Sequence, residues 1–178
     1  LSALGFHDED AGLRHIEALT SGTSRAVRIQ TALMPAMLAW LADGPSPDHG
    51  LLAFRQVSEA LGESPWYLRA LRDEGAMAQR LAVVLSTSRY AVDVLTRAPE
   101  TVQVLVDDDL TPLSREDLAR QMNAVARRHH DVEEAVRAIR AVRRRELFRI
   151  LVADILNVTG IRRIGQALTD LTGATIDA

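Results

Sequence analysis

An amphipathic pattern between Asp131 and Asn157, uninterrupted by glycine or proline, predicts one long α-helix. In its first half, apolar residues recur at spacings of three and four on one face: Val132, Val136, Ile139 and Val142. Between Leu147 and Leu156 the segment is apolar nearly all the way round, so we expect protein to cover both sides of the second half. At about 1.5 Å per residue, this helix would be about 40 Å long. The sequence thus predicts a long helix that is exposed at its start and enclosed at its end.

Shorter helices are predicted before this segment, because helix-forming residues dominate and no convincing period-two alternation marks a strand. Residues typical of helix starts recur along this part: Asp8, Ser64-Pro65, Ser88 and Pro99. Pro35 lies inside a helical stretch from Ser24 to Ala42, and we expect a break there, with Pro35 in the first turn of a new helix. The pattern therefore predicts an all-α fold that begins with a bundle of short helices.

The clearest internal boundary is the acidic run Asp107-Asp108-Asp109, which is followed by Thr111-Pro112. Beyond it, helices are predicted from Ser114 to about His130 and, after the long helix, from Ile161 to about Leu171. The short connections favour antiparallel neighbours. We therefore divide the chain into a bundle of short helices, residues 1–110, and a segment of longer antiparallel helices, residues 111–178.

Composition narrows the classes of protein that fit this pattern. Apolar residues make up 47% of the 178 residues, which is enough for a packed core. The absence of cysteine excludes disulfides, cysteine zinc sites and thiol nucleophiles, and is typical of a reducing cytoplasm. No apolar run reaches the roughly 18 residues of a membrane span, and the net charge of −3 provides no general attraction to nucleic acid or lipid. Because the first residue is leucine and the last residues resemble an interrupted sequence, we interpret the chain as a piece of a longer polypeptide.

The densest arginine cluster of the chain, Arg137 to Arg149, is the candidate for nucleic-acid binding. Phosphate binding needs cations on one contiguous face, preferably with aromatic side chains between them. Here the arginines spread over more than half of the helix circumference, and Phe148 is the nearby aromatic residue. We therefore favour a solvated face with ion pairs along the helix, and next a protein interface, over nucleic acid. The predicted pairs are Glu133–Arg137, Arg143–Glu146 and Glu146–Arg149.

Three charged residues of the long helix, Arg143, Glu146 and Asp154, are predicted to project toward its apolar face. A buried carboxylate without a partner costs several kcal/mol. We therefore hypothesise that the two acids pair with arginines such as Arg89 or Arg143 and fix how the helix packs on its neighbours.

Metal binding and catalysis find little support in the sequence. Asp107-Asp108-Asp109 offers three adjacent acids without a permissive glycine, which favours a solvated turn over a metal loop. His129 and His130 are adjacent and would diverge by about 100° on a helix, so we expect a surface helix end rather than a zinc site. The sequence has no GxSxG, P-loop or GxGxxG motif.

Two patches of the chain resemble the glutamine synthetase adenylyltransferase (glutamate–ammonia-ligase adenylyltransferase) family. The first comprises, in order, LGFHD (4–8), LMPAMLAWLA (33–42), PDHGLLAF (47–54), WYLRAL (66–71), SRYAVDVL (88–95) and APETVQVL (98–105). The second is RRRELFRILVADIL (143–156), which leads into TGIRRIGQALTDLT (159–172). The resemblance covers most of the chain in the order of the family, although none of these pieces is a catalytic signature.

The resemblance implies a helical region that precedes the second of two nucleotidyltransferase domains. In that family the C-terminal domain transfers AMP from ATP to a tyrosine of glutamine synthetase, the N-terminal domain removes it by phosphorolysis, and PII-type signal proteins and glutamine set the balance. The family's Gly-Ser turn and Asp-x-Asp pair, which hold Mg²⁺ and the ATP phosphates, are missing from this chain, so the resemblance implies no catalytic, cofactor-binding or metal-binding residue here.

The function that we expect is therefore a non-catalytic helical region that positions the adenylylating domain. Its partners would be the flanking nucleotidyltransferase domains, glutamine synthetase and a PII-type protein, with no nucleic acid and no membrane. Candidate docking contacts lie on the long helix: Arg143, Arg144, Arg145, Glu146, Arg149 and Asp154. Docking of this kind predicts that the isolated chain exposes an apolar strip along residues 147–171 or buries it in a homodimer. The alternative is a helical protein-interaction or nucleic-acid-binding regulatory domain.

Overall fold

The computed structural model describes residues 1–62 and 64–178, which form helices and contain no strand. The α-helices are α1 (Glu9–Thr20), α2 (Arg25–Ala42), α3 (Pro47–Leu61), α4 (Pro65–Asp73), α5 (Gly75–Thr87), α6 (Arg89–Arg97), α7 (Arg115–Ala126), α8 (Val132–Ile155) and α9 (Ile161–Asp177). Short 3₁₀-helices span Ser2–Leu4 and Pro99–Val106. The predicted all-α fold is confirmed. The chain forms two compact units, Leu1–Val106 and Asp107–Ala178.

The first unit is built around α3, which packs on α1, α2, α5 and α6. Its buried positions include Leu51, Phe54 and Val57, each at most 1% exposed. Gly50 allows a close approach, because a Cβ at this position would lie 3.1 Å from the Cα of Ser86 in α5. Small residues and a continuous apolar face thus let these short helices fill one core.

The predicted break at Pro35 is wrong, because α2 continues through this residue to Ala42. A proline inside a helix removes one backbone hydrogen bond and strains the preceding turn. Pro35 is exposed, whereas Met34, Met37 and Leu41 on the other side are buried. Burial of these side chains on both sides of Pro35 offsets the local cost, so the helix persists.

In the second unit, α7, α8 and α9 each pack on the other two. Their shared core consists of Leu118, Met122, Ile150, Ala153, Ile164, Ala167, Leu171 and Ala174. The predicted uninterrupted long helix is confirmed as α8. Along its apolar face, Ile139 and Val142 pack against this core, whereas Val132 and Val136, near the start that was predicted to be exposed, are 75% and 38% exposed.

Two helix ends differ from the predicted ones. The helix α7 ends at Ala126 rather than near His130, because the amides of Arg128 and His129 bond to carbonyls three residues earlier and tighten the chain into a turn. The helix α9 continues past Leu171 to Asp177, whose carboxylate binds Arg115 of α7. Among the described residues, no helix has the length and apolar character needed to cross a membrane.

Candidate functional site

A buried ion pair lies on the inner side of α8. Glu146 and Arg149, three residues apart, are only 3% and 8% exposed. Glu146 Oε2 lies 3.3 Å from Arg149 Nε, and Glu146 Oε1 accepts the backbone N–H of Leu113 at 2.8 Å. Burial raises the pKa of Glu146, while the Leu113 N–H and the Arg149 guanidinium oppose that rise. Of the three ion pairs predicted along the helix, this one is confirmed.

The guanidinium of Arg149 also holds the segment that precedes α7. Its Nη1 donates to the backbone carbonyl of Asp109 at 2.9 Å, and its Nη2 donates to the carboxylate of Asp107. Arg145, one turn earlier, approaches the same Asp107 carboxylate at 3.7 Å. We call the group Asp107, Asp109, Leu113, Glu146 and Arg149 the anchor network. It attaches residues 107–113 to α8 through both charges of the buried pair.

The solvated turn predicted for the acidic run is wrong for Asp107, whose carboxylate belongs to the anchor network. Asp109 is exposed and accepts the N–H of Thr111 at 2.8 Å, and the hydrogen bonds from Thr111 lower its pKa. His129 lies in the turn between α7 and α8, with its Nδ1 3.3 Å from Glu134. The described residues contain no group of three histidines or acids placed to hold a metal ion.

Two of the three charged residues predicted to face the core are exposed instead. Arg143 and Asp154 both lie at the surface, and the partner of Glu146 is Arg149 rather than Arg89 or Arg143. The reason for Asp154 is rotational: the core residue one turn after Ile150 is Ala153, so the next position already turns outward. The proposed pairing of Asp154 with an arginine is not seen among the described residues.

The outer surface of the middle of α8, residues 137–145, is cationic. Its exposed guanidinium side chains are Arg137, Arg140, Arg143, Arg144 and Arg145. The predicted Glu133–Arg137 ion pair does not form in the described part of the chain; Arg137 Nε donates to the Glu133 carbonyl at 3.3 Å instead. Exposed guanidinium groups bind carboxylates and phosphates through paired N–H donors. This surface can therefore contact an acidic partner, whereas Glu146 and Arg149 are already engaged.

The predicted apolar strip is present in part. Within residues 147–171, Val158, Ile161 and Leu168 are 41%, 77% and 42% exposed, whereas Leu147 packs on the core. Local spacing could identify the Glu146–Arg149 pair but not Asp107, Asp109 or Leu113, which are 33 to 42 positions away from their partners in the sequence. Chemistry offered one clue to these missed residues, because a buried arginine requires a nearby acid.

These features define a class of protein: an all-helical module with an internal charged anchor and an open cationic surface. A sequence model of the family described as glutamate-ammonia ligase adenylyltransferase matches residues 78–178, more than half of the chain. The chain belongs to this family, and the resemblance inferred from its sequence is confirmed.

Relatives match the chain along its full length. It is 99% identical over 178 residues to a protein of Cutibacterium acnes, covering 100% of this chain and 18% of that protein. Identity is 49% over 192 residues with a protein of Streptomyces coelicolor, covering 99% and 19%, and 44% over 182 residues with one of Nocardia farcinica, covering 100% and 18%. Each relative is named a bifunctional glutamine synthetase adenylyltransferase/adenylyl-removing enzyme. The chain thus spans less than a fifth of the length of these relatives.

Proposed function

We propose that this chain is a non-catalytic helical module of a bifunctional glutamine synthetase adenylyltransferase/adenylyl-removing enzyme, in which it positions the adenylylating domain. One domain of such an enzyme transfers AMP from ATP, with Mg²⁺, to a tyrosine of glutamine synthetase, and another removes it by phosphorolysis. The observation that carries the proposal is the match of all 178 residues, at 99% identity, to 18% of the length of the C. acnes relative. The proposal includes a cytoplasmic location and a PII-type protein as a further partner.

The non-catalytic role is supported by how the acidic residues are used. Nucleotidyl transfer needs carboxylates that position Mg²⁺ against the phosphates. The acidic run Asp107-Asp108-Asp109 is not preceded by a Gly-Ser turn, so it does not match the family's Gly-Ser and Asp-x-Asp motif. The Asp107 carboxylate binds Arg149, and the Asp109 carboxylate accepts from the backbone of Thr111. These contacts give both acids a structural role.

The positioning role is assigned to the cationic surface of α8. Arg143, Arg144 and Arg145 would contact acidic groups of the neighbouring domain or of a partner, with exposed Asp154 at the edge of this contact. Glu146 and Arg149 would act through the anchor network by holding α8 in its orientation. The six candidate residues thus divide into surface contacts and buried positioning residues.

The test uses the intact C. acnes relative with changes at the equivalent positions. Arg143→Glu combined with Arg144→Glu reverses two charges on the proposed contact and should slow transfer of AMP from labelled ATP to glutamine synthetase by about tenfold or more, because like charges then face each other. The matched control is Arg127→Glu with Arg128→Glu, which places the same charge change in the turn after α7.

The two double variants should have the same thermal midpoint and differ in the rate of AMP transfer. Equal transfer rates in both variants and the parent would refute the role of this surface. AMP transfer by the 178-residue chain alone would refute the non-catalytic role.

A further inference from the structure

The helix α9 has a second, largely apolar seam, which lies beside the face that forms the core of its own unit. The seam residues alternate at spacings of four and three: Ile161, Gly165, Leu168, Thr172 and Thr175. Ile161 and Leu168 are 77% and 42% exposed, and Ile176 beside the end of the seam is 79% exposed. None of the charged residues of α9 lies on it. We call this set the outer seam.

The threonine hydroxyls of this region need no hydrogen-bond partner from another protein segment. The hydroxyls of Thr169, Thr172 and Thr175 donate to carbonyls of α9 itself, four residues earlier, at 3.1, 2.8 and 2.7 Å. A buried hydroxyl without a partner would cost about 1–3 kcal/mol. Because these hydroxyls are already paired, the outer seam can be buried by an apolar surface at no such cost.

Gly165 has no packing reason within the described chain. A glycine inside a helix is less stable than alanine by roughly 0.5–1 kcal/mol. A Cβ at Gly165 would meet no atom within 4 Å, whereas a Cβ at Gly173 would lie 2.9 Å from Arg115 Cζ. Close approach of another backbone would account for a glycine at this point of the outer seam.

We propose that an amphipathic helix from the remainder of the same longer polypeptide packs along the outer seam, with its closest approach at Gly165. Alternating spacings of four and three match helices that cross at a small angle, with axes about 8–10 Å apart. The occupant is placed in the same polypeptide because the C. acnes relative contains this module as 18% of its length.

The outer seam carries no charge with which to select an acidic partner, in contrast to the arginines of α8. The inference shares with the proposed function the premise of a longer polypeptide, and does not depend on the reaction that this polypeptide performs.

Cysteine labelling tests this inference, since the chain has no cysteine of its own. Leu168→Cys is made both in the 178-residue chain and in the intact C. acnes relative, and maleimide labelling of that peptide is followed by mass spectrometry. Labelling should be slower in the intact relative by about tenfold or more, because it then requires local opening. The matched control is Gln166→Cys, on the exposed charged side of α9, which should label equally fast in both proteins.

A second variant probes the close approach. Adding Gly165→Ala to Leu168→Cys should leave labelling of the 178-residue chain unchanged and raise it about fivefold or more in the intact relative, because the methyl group displaces the occupant. Equal labelling of Leu168→Cys in both proteins would overturn the inference. The inference would also be overturned if Leu168→Cys became protected from labelling as the 178-residue chain dimerises, or lost its protection when the intact relative is diluted to monomers. In either case the segment that covers the outer seam would be a second copy of the protein. Activity measurements do not enter the test, so its failure is separable from failure of the proposed function.

Discussion

Arg149→Met would remove the cation of the anchor network while keeping most of the side-chain volume. The variant loses the contact with Glu146 at 3.3 Å, the hydrogen bond to the Asp109 carbonyl at 2.9 Å, and the ion pair with Asp107. Breaking a buried ion pair by removing one partner costs about 3–5 kcal/mol. Because the Asp107 side chain is 35% exposed and can be rehydrated, we expect the lower end, about 3 kcal/mol.

The cost of this substitution should depend on pH. Burial raises the pKa of Glu146 above its ordinary value of 4.5, and Arg149 counteracts that rise, so the pKa is higher still in the variant. A carboxyl group whose pKa is raised by folding favours the folded state below its unfolded pKa, and loses that contribution as pH rises through the folded pKa. The destabilisation relative to the parent should therefore be larger at pH 7 than at pH 5, by about 1.4 kcal/mol for each unit of additional shift.

Urea denaturation at pH 5 and pH 7 measures both effects. Far-UV circular dichroism follows all helices, whereas fluorescence of Trp40 and Trp66 follows the unit Leu1–Val106. The control Arg145→Met removes a guanidinium that is 53% exposed and 3.7 Å from Asp107, so it should cost less than about 1 kcal/mol at either pH. A loss for Arg149→Met no larger than for this control, or one that is equal at the two pH values, would refute the reasoning.

Substitutions at other positions give further predictions of stability. Gly165→Ala should stabilise the 178-residue chain by about 0.5–1 kcal/mol, since its methyl group meets no neighbour, and a lower melting temperature would contradict this. Gly50→Ala should destabilise it by about 1–3 kcal/mol in urea titrations, because the Cβ would lie 3.1 Å from the backbone Cα of Ser86 and 2.7 Å from Cδ2 of the fully buried Leu41; unchanged stability would count against close packing there. Ser58→Ala should cost about 1–2 kcal/mol because it leaves the buried Tyr67 hydroxyl, 3.1 Å from Ser58 Oγ, without a partner. Adding Tyr67→Phe should recover most of that loss in a double-mutant cycle, and additive losses would exclude the hydrogen bond as the cause.

Helix starts and the length of α8 could be predicted from the sequence because both depend on neighbouring residues. Ser114 accepts the N–H of Asp117, and Asp131 accepts that of Glu134, as capping chemistry requires. The break expected at Pro35 failed because the burial of α2 outweighs a local cost of a few kcal/mol. Local sequence rules thus indicate where a helix tends to begin or break, and tertiary packing decides whether it does so.

The candidate site was less predictable, because its partners meet through the tertiary fold. The spacing of Glu146 and Arg149 permits an ion pair, and that pair is present. The groups that complete it, Asp107 and the Leu113 amide, come from a segment with no regular periodicity. Their position depends on how this segment packs against α8. A helical pattern in the sequence carries no information about that packing.

The anchor network also determines which arginines can form a contact surface. Successive residues of an α-helix are rotated by about 100°, so Arg144 lies about 160° from Glu146 around the axis and Arg143 about 60°. Once the Leu113 amide and Arg149 hold Glu146 on the inner side of α8, Arg144 must point outward and Arg143 must lie at the edge of the buried side. The helical pattern alone gives the angles between these side chains. The contacts from residues 107–113 give the absolute rotation of α8, and with it the direction in which its arginines are presented.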